Sequence, residues 1–347
     1  MKMITTRNLS MTLLFTLGAA AATGCAAEVV GSNDPDDPTN PDNPDQPVPT
    51  TPEGRFAMQS EFDLATNMPG TPGQVVNYFI NATDDPDDPT KFLVEELIKA
   101  MPDGAVKTKA QQYAPFITGY LNDRLLQVAP NFLTKLRAVG NSFGQVAKNF
   151  GTLETLEINA AGGATKVVNG VHFTVDNVPL DFLFADYAMQ NIQVDGLQVS
   201  LEQTGKLTIS EHKVGLKYGA MMKLALDKAI IPMIDPSASN LGDIMKSVVN
   251  CQAVGQYVYE AIDIGSPSTF QSACTAGLNA ASAALYNKMS MIDGVALELG
   301  LAGTARGIDR NRDGKMDDIQ TGLWTGGLGY AGTPAPLGEA PFFGSRM

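Results

Sequence analysis

The sequence predicts an α+β protein, and three observations lead to this fold class. Apolar residues recur at a helical period between residues 88 and 150, and again between 241 and 291. Between these two blocks, from 152 to 226, the period changes to two, which is typical of strands. Blocks of helices and blocks of strands that follow one another along a chain favour α+β architecture over a regular alternation of the two.

Composition and charge exclude several classes of protein. The chain has 347 residues, of which 44% are apolar, so it can bury a sizeable core and is not a wholly disordered chain. The formal net charge of -13 argues against a nucleic-acid partner, because phosphate binding needs clustered Lys and Arg. With 2 His and 3 Cys, the chain is also unlike most His-rich or Cys-rich metal enzymes.

The N-terminus has the features of an export signal. Lys2 and Arg7 precede an apolar stretch from Leu9 to Ala22, and small residues then lead to Cys25. This order predicts a secretory signal peptide over residues 1–24. A Cys directly after the small residues resembles the lipobox of bacterial lipoproteins. The resemblance implies cleavage before Cys25 and acyl chains on this residue, which hold the protein to a membrane.

The lipobox resemblance also implies a location. Ala26 is not the Asp that retains lipoproteins at the inner membrane, so we expect an anchor in the outer membrane of the cell envelope, facing the periplasm or the cell surface. Residues 26–54 hold seven Pro, seven acidic residues and no basic residue. Such a segment stays extended and has no apolar run to form a core. We therefore predict a lipidated, disordered linker at 25–54 and a single α+β body at 55–347.

The body is expected to begin with an irregular stretch at 55–88, followed by helices. Asp88 and Pro89 are suited to the N-cap and the first position of a helix. Helical periodicity continues from there to about Phe150. Three prolines divide this block into three or four predicted helices: Pro102, Pro115 and Pro130.

The strand block at 152–226 is predicted to form an antiparallel meander with one apolar face. Four pairs of turn-forming residues are expected to separate its strands: Gly162-Gly163, Asn169-Gly170, Asp195-Gly196 and Thr204-Gly205. Residues 241–291 are predicted to form a helical hairpin that turns near 264–268. Alternation at 295–305 and 319–330 then predicts a C-terminal β-hairpin.

Two cysteines remain if Cys25 carries lipid. Cys251 and Cys274 fall on the two arms of the predicted helical hairpin. Because proteins beyond the inner membrane meet an oxidising compartment, the pair predicts one disulfide, which would stabilise the fold by about 3 kcal/mol. The alternative is two buried free thiols.

The strongest motif lies between the two predicted C-terminal strands and has the spacing D-x-N-x-D-G-x-x-D. It resembles the calcium loop of EF-hands and of dockerin-like or DxDxDG repeats. Calcium takes six to eight oxygen ligands, and Gly314 at position 6 permits the sharp turn that brings them together. The resemblance implies these candidate ligands: Asp309, Asn311, Asp313, the carbonyl of Lys315, Asp317 and Asp318.

The motif departs from an EF-hand in two ways. Gln320 stands at position 12 in place of the bidentate Glu, so a carboxylate from Asp317 or Asp318 is expected to take that part. The flanking residues are predicted strands rather than helices. We therefore expect a β-hairpin tip that holds calcium as a structural cofactor; the alternative is an acidic turn that binds nothing tightly.

A weaker motif is Gly140-Asn141-Ser142-Phe143-Gly144, which matches the G-x-S-x-G elbow of α/β-hydrolases. That elbow requires a strand before it and a helix after it, whereas the preceding residues have a helical period. A serine hydrolase through Ser142, with His172 or His212 as the base, is therefore a disfavoured alternative.

No convincing catalytic constellation is found, so the sequence predicts a protein that is not an enzyme. The favoured function is a membrane-tethered envelope lipoprotein with a binding or structural role, whose partners are the membrane and an envelope protein. A carrier of lipid or another hydrophobic ligand is the alternative. It is suggested by long apolar helices, a meander sheet and Met-rich segments, features reminiscent of tubular lipid-binding folds.

Overall fold

The computed structural model describes most of the body and the residues just before it. The described residues are 47–70, 72–73, 95, 98–99, 103–115, 118–119, 131–175, 177–263 and 265–347. The predicted signal peptide, Cys25 and the linker up to residue 46 lie outside them. So do most of the helices predicted between 88 and 130.

Ten strands are present in the described chain, and their side chains alternate largely between buried and exposed positions, as the period of two requires. All strand pairs are antiparallel. Their bounds are Gly54–Phe62 (β1), Phe150–Ile158 (β2), Gly163–Val175 (β3), Val178–Leu183 (β4), Ile192–Leu201 (β5), Lys206–Leu216 (β6), Leu297–Ile308 (β7), Asp318–Tyr330 (β8), Thr333–Pro336 (β9) and Ala340–Arg346 (β10).

The predicted α+β class is confirmed, but the strands form a closed barrel rather than a meander with a separate hairpin. The strand order is β10-β1-β2-β3-β5-β6-β7-β8, and β8 pairs back with β10, which closes a ring of eight strands. Strands β4 and β9 pair outside this ring with β3 and β8. Closure is favourable because it pairs most of the strand edges, those of β1 and β10 included.

Two strands that complete the barrel were not predicted. The expectation of an irregular start to the body is wrong for β1, where Phe56, Met58 and Phe62 alternate as buried residues. Strand β10 lies beyond the predicted C-terminal hairpin. Both ends of the body thus enter the sheet side by side, with Phe56 paired to Arg346.

Two of the four predicted turns are correct. Gly162 and Gly205 have φ values of 81° and 82° and lie in the β2–β3 and β5–β6 turns. The other two positions are strand irregularities. Gly170 lies within β3 beside a register shift, and Gly196 lies within β5 with φ 77°. Residues that favour turns also favour β-bulges. The local sequence therefore could not distinguish a turn between two strands from an irregularity within one strand.

The helices lie before β2 and between β6 and β7. Their bounds are Ala105–Gln112 (α1), Phe132–Lys148 (α2), Tyr218–Ala225 (α3), Ile231–Ile234 (α4), Leu241–Val248 (α5), Cys251–Ile262 (α6) and Pro267–Ile292 (α7), with a π-helical turn at Leu226–Ile230. Among the described residues, no helix is both long enough and apolar enough to cross a bilayer.

Helices and strands share one core at the end of the barrel where β2 begins and β6 ends. The ring of Phe150 packs against Phe173 at 5.8 Å and against Tyr218, the first residue of α3, at 5.6 Å between centroids. The Tyr330 hydroxyl donates to the Ile292 carbonyl at 3.1 Å. These contacts fix the helical segment to this end of the barrel.

The predicted disulfide and the turn near 264–268 are confirmed, but the first arm of the predicted hairpin is two helices, α5 and α6. Helices α6 and α7 turn between residues 262 and 267, and Cys251 and Cys274 form a disulfide with their Cα atoms 5.5 Å apart. Gly255 allows the close approach, because a Cβ there would lie 2.5 Å from the Pro267 carbonyl oxygen.

Candidate functional site

The acidic motif forms the tip of the β7–β8 hairpin. Ile308 and Asp318 are the last residue pair before the loop, so strands flank it as predicted. Gly314 has φ +85° and makes the sharp turn for which a glycine was expected at position 6. The loop lies at the end of the barrel opposite the helices.

Three of the predicted ligands accept hydrogen bonds from backbone amides of the loop, and of these Asp309 is buried whereas Asn311 and Asp313 are exposed. Asp309 is almost fully buried and accepts hydrogen bonds from the amides of Asp313 at 3.2 Å and Gly314 at 2.8 Å. Asn311 Oδ1 accepts from the same Asp313 amide at 2.9 Å, and Asp313 accepts from the amide of Lys315 at 2.8 Å. Oxygens of Asp309 and Asn311 therefore meet at one amide, that of Asp313.

The last two predicted ligands separate from each other. Asp317 accepts from the amide of Arg310 at 2.9 Å and so faces the loop. Asp318 instead pairs with the Arg310 side chain and accepts from the Ser345 hydroxyl at 3.1 Å, which directs it toward β10. Among the described residues, no group of three or more His, Cys, Asp or Glu side chains is arranged to hold a metal ion. The donors that fit calcium by their oxygen chemistry are thus Asp309, Asn311 and Asp313, with backbone carbonyls.

The chain before β1 is hydrogen-bonded to this loop, which sequence reasoning did not anticipate. We call residues 47–51 the docked segment. The Asp309 amide donates to the Pro47 carbonyl at 3.1 Å. The Gly314 carbonyl accepts from the amides of Thr50 at 2.8 Å and Thr51 at 3.2 Å, and the Met316 amide donates to the Thr51 carbonyl at 3.3 Å.

Arg346 strengthens the same junction from β10. Its guanidinium donates to the carbonyls of Met316 at 2.7 Å and Glu53 at 2.8 Å, and it lies 3.7 Å from the Asp317 carboxylate. The end of the predicted linker, the acidic loop and the last strand thereby form one hydrogen-bonded unit.

The centre of the barrel is filled by side chains from opposite walls. Trp324 on β8 stacks on Phe342 with ring centroids 4.1 Å apart, and its Nε1 donates to the Ser60 hydroxyl at 3.0 Å. Gly303 leaves room for this ring, since a Cβ there would lie 2.6 Å from it. Lys166 Nζ on β3, the strand opposite β8, lies 4.2 Å from the centroid of the Trp324 ring.

A buried ion pair belongs to the same interior. Lys166 Nζ lies 3.0 Å from Glu154 Oε2, and both side chains are only 1% exposed. The Thr152 hydroxyl donates to the other Glu154 oxygen at 2.6 Å. His212 meets Trp324 edge-on at 5.5 Å. We call Glu154, Lys166, His212 and Trp324 the interior cluster. Its charges occupy strand positions that alternation assigns to apolar core residues, so their burial was not evident from the sequence.

The G-x-S-x-G motif lies inside a helix. Ser142 is in the middle of α2, rather than on the strand-to-helix turn that a nucleophile elbow needs. His172 pairs with the exposed Asp181 at 2.6 Å, and His212 donates to the Ser210 carbonyl at 2.9 Å inside the barrel. Within the described part of the chain, neither imidazole is hydrogen-bonded to Ser142.

Comparison of the chain with protein-family models, with curated proteins and with solved structures finds no match. Function is therefore argued from the residues and their geometry.

Proposed function

We propose that the protein is a lipoprotein of the bacterial cell envelope, anchored in the outer membrane through Cys25, with a non-catalytic binding or structural role. The export signal and the lipobox support the anchor. The observation that carries the proposal is the docked segment, because it fastens the end of the predicted linker to the acidic loop of the body. The linker thus ends at a fixed point on the body, beside the acidic loop.

Calcium is proposed as the structural cofactor of that junction. The side-chain oxygens of Asp309, Asn311 and Asp313 are the hard donors that calcium prefers. The carbonyl of Gly314 and the amide of Asp309, both in the loop, hold the docked segment. An ion that fixes the loop would therefore also fix the end of the tether.

The filled barrel supports a rigid module over a carrier. Trp324 contacts side chains from β1, β3, β6 and β10 at the centre of the barrel, where a lipid chain would have to lie. A carrier of hydrophobic ligands remains the second candidate, with its ligand held outside this interior. The serine hydrolase is the weakest proposal, because Ser142 lies in the middle of a helix. That position does not distinguish the rigid module from the carrier.

The calcium proposal is tested by thermal unfolding of the purified protein with calcium and with chelator. A ligand present at about 100 times its dissociation constant stabilises by about 2.7 kcal/mol, so the Tm is expected to fall on chelation. The combined change Asp309→Ala and Asp313→Ala should abolish that response. Glu202→Gln, an exposed carboxylate on the neighbouring β5–β6 turn, is the control and should retain it. A Tm indifferent to chelator contradicts the proposal.

The anchor is tested separately by fractionation of cells. Cys25→Ala is expected to move the protein from the membrane fraction to the soluble fraction, because the acyl chains are lost. If the variant stays with the membrane, lipidation of Cys25 is not what holds it there.

A further inference from the structure

The wall of the barrel has a weakly joined seam between β5 and β6. These strands pair at three positions, from Val199 opposite Ile209 to Leu201 opposite Leu207. Residues 192–198 of β5 pair with β3, and residues 212–216 of β6 pair with β7. Within the described chain, no strand pairing joins these two stretches to each other. We call them the seam.

His212 is the residue of β6 at which this seam begins. The register of β6 against β7 shifts between Ile209 and His212, as at a β-bulge, and the His212 side chain turns into the barrel. It is 8% exposed. Because Nδ1 lies 2.9 Å from the Ser210 carbonyl, Nδ1 carries the hydrogen and Nε2 presents a lone pair. Among the described residues, Nε2 has no hydrogen-bond partner.

The charged groups that face His212 come from two other strands. Lys166 on β3 and Glu154 on β2 both act on the imidazole, and the Trp324 ring on β8 covers it. Burial, together with the Lys166 ammonium, holds the pKa of His212 below its usual value. Glu154 acts in the opposite direction but is already engaged by Lys166 and Thr152.

A second cation in this interior would be poorly accommodated. Protonation converts Nε2 into a donor, and Nε2 has no acceptor in the described structure. The new charge would also share one carboxylate, Glu154, with Lys166. A buried, unpaired charge costs several kcal/mol, so the structure must either expel the proton or let water reach the imidazole. The seam is the part of the wall that can yield with few broken backbone hydrogen bonds.

We propose that His212 makes this seam an acid-sensitive gate, in which a proton on Nε2 separates β6 from β5 and admits water to the interior cluster. The helices, the disulfide and the remaining strand pairs stay in place. The gate opens in mildly acidic medium and closes again when the proton leaves. This inference is independent of the calcium and lipid proposals, since it uses none of their residues.

The chain offers two built-in reporters for a test on the full chain. Trp324 is the only Trp and lies in the interior cluster, so acrylamide quenching of its fluorescence measures access to the gate. His172 and His212 are the only two His, so imidazole resonances are assigned by one variant each. The quenching constant is followed from pH 7.5 to pH 4.5, with far-UV circular dichroism recorded in parallel.

In the unmodified protein, we expect the quenching constant to rise severalfold on acidification while secondary structure is retained. His212→Gln should lose that rise, and the control His172→Gln, which changes an imidazole outside the barrel, should keep it. A flat quenching constant, or an unchanged rise in His212→Gln, overturns the proposal.

A second measurement covers the case in which His212→Gln does not fold. In His172→Gln the remaining imidazole signals belong to His212 and are followed by NMR through the same pH range. We expect His212 to take up its proton at a lower pH than an ordinary histidine, and the rise in Trp324 quenching to accompany that protonation. Titration at an ordinary pKa while Trp324 stays protected overturns the proposal.

Discussion

Glu154→Gln is expected to be strongly destabilising, because it leaves Lys166 as an unpaired cation inside the barrel. The two side chains are 3.0 Å apart and each is 1% exposed, so water cannot replace the lost carboxylate. Breaking a buried ion pair by removing one partner costs about 3–5 kcal/mol. The contact of Lys166 with the Trp324 ring persists and contributes about 2 kcal/mol when desolvated, so we expect a value near the lower limit.

Urea denaturation followed by far-UV circular dichroism measures this loss. For a slope of about 3 kcal/mol per molar, a loss of about 3 kcal/mol lowers the midpoint by about 1 M. Glu157→Gln on the exposed face of the same strand is the control and should change stability by less than about 0.5 kcal/mol.

A double-mutant cycle decides whether pairing is the cause. Lys166→Met combined with Glu154→Gln removes both charges, so it should cost much less than the sum of the two single changes. Additive losses in the double variant, or a loss below about 1 kcal/mol for Glu154→Gln alone, would refute the reasoning that this pair is buried and mutually dependent.

Two further predictions concern packing and the disulfide. Gly303→Ala places a Cβ 2.6 Å from the Trp324 ring and should lower stability by about 1–3 kcal/mol in thermal unfolding, whereas Gly300→Ala, whose nearest contact would be at 3.8 Å, should be tolerated far better. Replacing Cys251 and Cys274 together by Ala should cost about 3 kcal/mol in urea and remove the sensitivity of stability to reductant; a reductant-insensitive parent protein would contradict the bridge.

Features that depend on neighbours in sequence were predictable. The alternation in β2, β6, β7 and β8 and the hairpin of α6 and α7 arise from local periodicity, and local turn chemistry identified the sharp loop at Gly314. The disulfide followed from the same local pattern, because it joins the two arms of one hairpin. Strands β1 and β10 were missed because both lie beside Pro- and Gly-rich stretches. Each is stabilised chiefly by its partner strands.

The interior cluster could not be predicted for a related reason. Lys166 lies at a strand position that faces the core. The alternating pattern predicts an apolar residue at such a position and gives no reason to expect a buried charge there. Its burial is tolerable only because Glu154 and Trp324 come from other strands to meet it. The docked segment is a similar case, since the contacts of Thr50 are with Gly314, at the far end of the chain.

By itself, the sequence determined the α+β class, the cysteine pairing and the acidic hairpin loop; the export signal and the tether stay predictions. These depend on patterns within a few residues, or within one hairpin, where chain connectivity already keeps the partners close. Only the tertiary structure decided that the sheet closes through β1 and β10, that charges fill its centre and that the linker ends on the loop. Closure and the docked segment need contacts between segments almost a whole chain apart. The buried ion pair joins neighbouring strands, but it also needs Trp324 from the opposite wall, so its environment is complete only when the whole sheet has assembled.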